Sequence, residues 1–448
     1  MARYVKTEQG YIDASIFAPA PFKPAGKSYL TFSSLSSFTL KVNDATKHWD
    51  GTLEYFASDK TWTVWDGTTT LSAVADDGEY VLYLRGTGNR VITGYSSKYK
   101  WVLTGTDVKC NGNIENLLDY ATVQSGVHPT MASNCYCYIF SDCTSLTQAP
   151  ALPATTLAEF CYYCMFSGCT ALTQAPELPA TTLMNNCYSN MFQGCTALTQ
   201  APALPAATLA EYCYVQMFDG CTSLTKAPDL PAMTLASSCY TSMFHDCTSL
   251  IQAPALPATT LAEGCYHSMF QDCTSLTKAP ELPATTLMNS CYSSMFENCT
   301  SLAKLPALPA TTLDNACYLQ MFYGCTSLKL SSTQTGEYTQ EYRISSSGEV
   351  ETTLNALLNM FGFTGGTFTG TPEINTTYYF SSDNMVVRET EIATLNGYVD
   401  SMIDAAIDKY ADTAEYIIPS STQGSIKKFK ITVDDTGTLS ATEITTTS

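Results

Sequence analysis

Residues 143–324 are seven consecutive copies of one 26-residue unit. No unit of that length can bury its apolar face alone, so the copies must stack and share one continuous core. The first copy begins Cys143-Thr144-Ser145-Leu146 and ends Met165-Phe166-Ser167-Gly168. Leu146, Leu152, Leu157, Cys161, Met165, Phe166 and Cys169 mark positions that stay apolar in every copy. Pro150 and Pro153 exclude helix from the first half of the unit and predict a short extended strand with limited ladder bonding. From Leu157 to Phe166 the apolar residues step by four, four and one, which predicts a return limb of one or two helical turns. The expected fold class is therefore an α/β repeat, a solenoid of 26-residue units.

Nineteen cysteines would ordinarily suggest a disulfide framework or metal sites. Here eight fall at 143, 169, 195, 221, 247, 273, 299 and 325, and eight more at 135, 161, 187, 213, 239, 265, 291 and 317. Both series step by the repeat length, and stacked coils place equivalent residues roughly 4.8 Å apart. Side chains in such a ladder point the same way, whereas a disulfide needs Cβ atoms turned toward each other. Free thiols buried as small hydrophobes are expected, which suits folding in a reducing compartment. Cys135-Tyr136-Cys137 and Cys161-Tyr162-Tyr163-Cys164 are isolated variants of single copies. With no paired CxxC motifs and no histidine at tetrahedral spacing, neither a metal nor a cofactor is expected.

The flanks differ from the repeats. All four tryptophans lie in the first 101 residues. Segments such as 37–42, 60–65 and 80–84 are β-branched or aromatic and are split by Asp-Gly and Gly-rich turns, so residues 1–105 are expected to form a separate all-β sandwich. Residues 106–142 are expected to cap the solenoid start, with a short helix over 113–120. The solenoid proper is expected over 143–330, and 331–384 reads as a degenerate capping repeat with a hairpin insertion. In 385–448, Ile392, Leu395, Val399, Met402 and Ile407 have the spacing of a coiled-coil seam and are the expected oligomerisation residues. Farther on, 429–433 and 438–442 flank Asp434-Asp435-Thr436-Gly437, a hairpin signal. The expected C-terminal region is thus a helix plus β-hairpin.

At Met165-Phe166-Ser167-Gly168-Cys169-Thr170-Ala171-Leu172 and Leu152-Pro153-Ala154-Thr155-Thr156-Leu157 the unit resembles the BspA-like leucine-rich repeats. The resemblance implies an extended right-handed parallel solenoid with roles in attachment, and no enzymatic activity. The stretch from Ser421 to Ile444 resembles the terminal hairpin found on phage fibre and other virion proteins.

Charge and missing motifs narrow the function. Lys plus Arg number 22 against 41 Asp plus Glu, a net charge of −19, which disfavours nucleic acid and acidic lipid as partners. No run of 18 apolar residues is present, so membrane insertion is not expected. Glu8 and Gly10 arrive before any apolar stretch, unlike a secretory signal. His48, His128, His245 and His267 have no partner implied by spacing. Glu177, Asp229 and Glu281 alternate with alanines two coils apart, too far to share a calcium ion. No catalytic residue is assigned. What remains is surface: Gln148, Gln174, Gln200, Lys226, Gln252, Lys278 and Lys304 form one row of candidate binding positions. Tyr163, Thr241 and His267, with Ser189, Val215, Ser293 and Leu319, form another.

These readings together predict a non-enzymatic phage virion fibre or receptor-binding protein. It would be a homotrimer assembled with other virion proteins in the host cytoplasm, contacting a bacterial surface protein or glycan. A bacterial cell-surface adhesin is the first alternative. A carbohydrate-active or carbohydrate-binding protein acting through the N-terminal β domain is the second.

Overall fold

The protein, a computed structural model, is described at residues 4–7, 10–13, 22–25, 29–344, 355–382, 384, 386–387, 415–419, 426–433 and 439–444. Backbone hydrogen bonding sets the path of each coil. In the first return limb, Phe160, Tyr162, Cys164, Phe166 and Gly168 donate their amides to carbonyls of the next coil at 2.7–3.1 Å. The intervening Cys161, Tyr163, Met165, Ser167 and Cys169 donate to the carbonyl three residues back, closing successive tight turns. Half the amides hold the coil and half join it to its neighbour, so none is left unpaired. An α-helix directs its amides along its own axis and would leave none to join adjacent coils.

Every fourth residue of this limb is left-handed: Phe160, Cys164 and Gly168 have φ of 54°, 52° and 75°. The triplet recurs in nine coils, from Asn134, Tyr138 and Asp142 to Asn355, Asn359 and Phe363. No β-branched residue occupies any of these positions, the class that tolerates this conformation least. The third position is Gly, Asp or Asn in every coil but the last. The expected α/β leucine-rich-repeat solenoid is therefore corrected. Among the described residues the one α-helix is α1, Asn116–Gln124, which lies outside the repeats. The apolar steps of four come from four-residue turns, a spacing that a helix shares.

The extended limbs pair sparsely, as their prolines require. Single parallel bridges run Gln200–Lys226–Gln252–Lys278–Lys304, and a second series joins Thr208, Thr234 and Thr260. Inside, the leucine, cysteine, methionine and phenylalanine columns are buried. Phenylalanine rings stack at 5.6–5.7 Å between coils along the line from Phe140 to Phe361. A tyrosine column from Tyr136 to Tyr318 stacks beside it at 5.8–6.0 Å and is just as buried. All nineteen cysteines are free and buried. In seven coils the thiol does more than fill space. Cys169, Cys195, Cys221, Cys247, Cys273, Cys299 and Cys325 each donate Sγ–H to the carbonyl of a phenylalanine in the preceding coil, at 3.0–3.2 Å.

Two antiparallel sheets close the N-terminal end. After a hairpin of β1 (Tyr4–Thr7) and β2 (Gly10–Asp13), the chain forms β3 (Leu30–Ser34), β4 (Thr39–Val42), β5 (Thr52–Phe56), β6 (Trp62–Val64), β7 (Leu71–Ser72), β8 (Val74–Asp76), β9 (Glu79–Thr87), β10 (Trp101–Thr104) and β11 (Val108–Asn111). One sheet runs β11-β3-β9-β5-β6, with β8 also on β9, and the other runs β10-β4-β7. Beside β11 lies β12 (Leu146–Gln148), the extended limb of the first repeat, so β11 passes the sheet directly into the stack by parallel pairing. One hydrophobic core runs without a break from Leu30 to Phe380. Helix α1 lies so close to β9 that a Cβ at Gly86 would fall 1.7 Å from the Leu117 carbonyl oxygen.

At the other end, Tyr318, Gln320, Phe322 and Gly324 donate to Ala356, Leu358, Met360 and Gly362. These partners lie 38 positions on, where inner coils use 25, so the last coil carries 13 additional residues. Four strands close this end: β13 (Lys329–Ser331), β14 (Tyr338–Arg343), β15 (Gly365–Gly366) and β16 (Thr377–Ser381). Residues 388–448 are a separate compact unit. Its described strands, Glu415–Pro419, Ile426–Val433 and Leu439–Ile444, form an antiparallel sheet in that order. Ile392, Leu395, Val399, Met402 and Ile407, and with them the expected helix, lie outside the described residues.

Candidate functional site

Each coil has an interior, an outward strand side and an outward turn side. The turn side consists of residues 159, 160, 163, 164, 167 and 168 and their equivalents at steps of 26. Between-copy variation concentrates there: the 163 column reads Tyr, Ser, Val, Thr, His, Ser, Leu, and the 167 column reads Ser, Gln, Asp, His, Gln, Glu, Tyr. The candidate row from Gln148 to Lys304 lies instead on the strand side, where its backbone forms the bridges between coils. Its members are exposed except Lys278, which is half-buried, and Gln148 donates Nε2–H to Asn111 of the cap at 2.6 Å. The two candidate rows occupy different limbs and do not form one site.

The second row lies on the turn side but is less exposed than its variability suggests. Thr241 Oγ1 donates to the Gly264 carbonyl of the next coil at 2.8 Å. Ser189 and Ser293 are buried. His267 is half-buried with Nδ1 unpaired, and desolvation lowers its pKa. Burial likewise pushes the Tyr163 phenol up.

The 164, 167 and 168 columns, which sequence reading passed over, hold the connected polar groups. Asn190 Nδ2 donates to Gln193 Oε1 and Gln216 Oε1 at 3.3 and 3.1 Å. Gln193 and Gln216 donate to Asp219 Oδ2 at 2.8 and 3.2 Å. His245 joins three coils, with Nδ1 2.6 Å from Asp219 and Nε2 3.4 Å from Asp272, which also accepts from Asn298 at 3.0 Å. The hydrogen bond to Asp219, reinforced by the charges of Asp219, Asp272 and Asp246, raises the His245 pKa above its ordinary value. Hydrogen-bonding residues at a fixed offset in consecutive copies were the legible signal. The turn limbs contain no Lys or Arg, while Asp142, Glu159, Glu211, Asp246, Glu263 and Glu297 add carboxylates.

Toward the cap the same side becomes aromatic. Tyr95, from the loop after β9, packs on Phe160 and Tyr163 with ring centroids 5.1 and 5.4 Å away, and Tyr138 meets Tyr163 at 5.4 Å. In the N-terminal sheets, by contrast, Trp49, Trp65 and Trp101 are buried against one another and offer no platform.

Other chemistry-bearing groups are engaged structurally. His48 stacks on Tyr99 and contacts Asp44 at 3.1 Å. A hollow of about 300 Å³ beside the first coil is lined by Glu115, His128, Met131, Thr155 and Leu157. Its buried Glu115 carboxylate is held by His128 Nδ1 at 2.9 Å and Asn113 Nδ2 at 3.3 Å, latching the loop after α1 to the cap. Burial raises the pKa of every cysteine, to about 12 at Cys143, Cys187 and Cys195. Among the described residues no group of three His, Cys, Asp or Glu side chains is placed to hold a metal ion, and no helix is long and apolar enough to cross a membrane. Compared with known proteins, the chain matches no family model, no curated protein and no solved structure.

Proposed function

We propose that this chain is a non-enzymatic attachment protein, a phage virion fibre or receptor-binding protein, whose turn side meets the bacterial surface. The observation that carries this reading is the division of labour within the coil. Interior columns repeat almost unchanged, while the turn side varies residue by residue on one continuous, rigidly bonded surface. Repeat proteins recognise partners through such varied surfaces. Thiols held protonated by burial are poor nucleophiles, which also favours display over catalysis. The virion assignment draws on the resemblance of the C-terminal segment to phage fibre hairpins, and the C-terminal unit is the part proposed to trimerise.

The test is retention of fluorescently labelled full-length protein on a broad panel of bacterial strains. Glu211→Arg combined with Val215→Arg, on the turn side, is expected to abolish retention. Thr208→Arg, exposed on the strand side, is expected to leave it intact. Retention by no strain, or equal loss from both variants, would overturn the proposal.

A further inference from the structure

We propose that the cap end of the turn side binds a neutral oligosaccharide, with the rings of Tyr95, Phe160 and Tyr163 as its stacking platform. The inference deepens the attachment reading and rests on it.

The fold does not account for these rings. Phe160 and Tyr138 are bulky residues held at φ of 54° and 60°. That conformation favours Gly, Asn and Asp and makes an aromatic residue an outlier. At Phe160's position the other coils place Asn, Ser, Gly or Ala, with Tyr212 the one further aromatic. Phe160 and Tyr212 therefore share a column two coils apart, and Tyr212 is 42% exposed. Tyr95 is 56% exposed although it has aromatic neighbours. Its loop is fixed in place: Ile92 and Gly94 donate amides to the Cys135 and Asn134 carbonyls, and Thr93 Oγ1 donates to Cys137 at 2.7 Å. The rings are thus presented in advance, so little ordering is needed on binding.

Charge and shape select the ligand. The turn limbs carry carboxylates and no lysine or arginine, and of Lys98 and Lys100 on the Tyr95 loop the second is paired with Asp142 at 2.6 Å, so the cap end offers no cluster of cations for a phosphate, sulfate or uronate. The rings pack edge-to-face or tilted at 5.1–5.7 Å, so they form a continuous surface and not a cage that could enclose an ammonium group. A protein interface would be expected to have few charges at its centre, whereas carboxylates interleave with this patch. A sugar ring offers C–H bonds to an aromatic face and hydroxyls to its surroundings, and the phenol groups match that mixed character. Continuing along the same side, Asn190, Gln193, Gln216 and Asp219 supply planar amide and carboxylate groups that can pair with neighbouring hydroxyls. Tyr212, in the same coil as Gln216 and Asp219, ends a track that spans three coils from Phe160, which fits a chain of sugars and not a single unit.

The experiment titrates full-length protein with hexasaccharides of glucose, mannose, galactose and N-acetylglucosamine, and with polygalacturonate as the anionic contrast. At least one neutral hexasaccharide is expected to bind. Tyr95→Ala should weaken binding at least tenfold with unchanged melting temperature, Tyr163→Ala should weaken it as much while the protein still melts cooperatively, and Tyr163→Phe should retain it. Binding by none of the neutral sugars, preference for polygalacturonate, or unchanged affinity in both alanine variants would overturn the proposal. Cell retention separates this outcome from failure of the attachment reading. If Glu211→Arg with Val215→Arg abolishes retention but Tyr95→Ala and excess hexasaccharide do not, the sugar site falls and attachment stands.

Discussion

The cysteines show how one residue type can serve two physical needs in a stacked fold. In the 169 series the phenylalanine carbonyl accepts an amide from its own coil and a thiol from the next, so replacing the thiol removes both volume and a donor. Cys247→Ala is expected to destabilise by about 1–3 kcal/mol, read from denaturant melts. Without reductant, native protein should label slowly and denatured protein should yield all nineteen thiols. A count near zero would contradict the free-thiol structure. The left-handed positions give a sharper residue-level prediction. Ser242, at φ 52°, should tolerate Gly with little loss or a small gain, whereas Val should cost about 1–3 kcal/mol. A helical limb would instead make Gly unfavourable by roughly 0.5 kcal/mol relative to Ser, so the sign of the Gly effect discriminates the two conformations.

Within a coil, the interior leucines and the outward threonines differ in degree of burial. Leu235→Ala should cost about 2–5 kcal/mol because its neighbours cannot collapse into the space. Thr241→Ala loses one half-buried hydrogen bond and should cost about 0.5–1.5 kcal/mol, more than free exposure would imply. Between coils, His245 links the turn limbs through Asp219 and Asp272. Its folded-state pKa is raised, so its stabilisation is full below the ordinary histidine value and is lost as pH rises through the folded value. His245→Gln should therefore lower the melting temperature more at about pH 6 than at about pH 9. An equal effect at both would mean that the imidazole is held by packing and not by the carboxylates.

For the whole molecule, the residues up to Val387 have one continuous core and both ends of the stack are covered by strands. A chain ending at Val387 is expected to fold and melt cooperatively. Light scattering should find it monomeric, and full-length protein at about three times the 48.6 kDa chain mass. A monomeric full-length protein would remove the proposed role of the C-terminal unit and weaken the fibre reading in favour of a surface adhesin.

By itself, the sequence determined that the copies stack and which leucine, methionine, phenylalanine and cysteine columns face inward. Those conclusions follow from a 26-residue period that leaves no other way to bury the apolar face. The tyrosine column is equally periodic and equally buried, with the hydroxyls of Tyr162 and Tyr214 unpaired. Only the tertiary structure decided between helix and turns in the return limb. Apolar steps of four suit both, and the choice depends on whether amides bond along the limb or across to the next coil. The same cross-coil stacking brought Asp219, His245 and Asp272 together from three coils. Such contacts join residues a full repeat apart, so their geometry exists only once the coils are stacked.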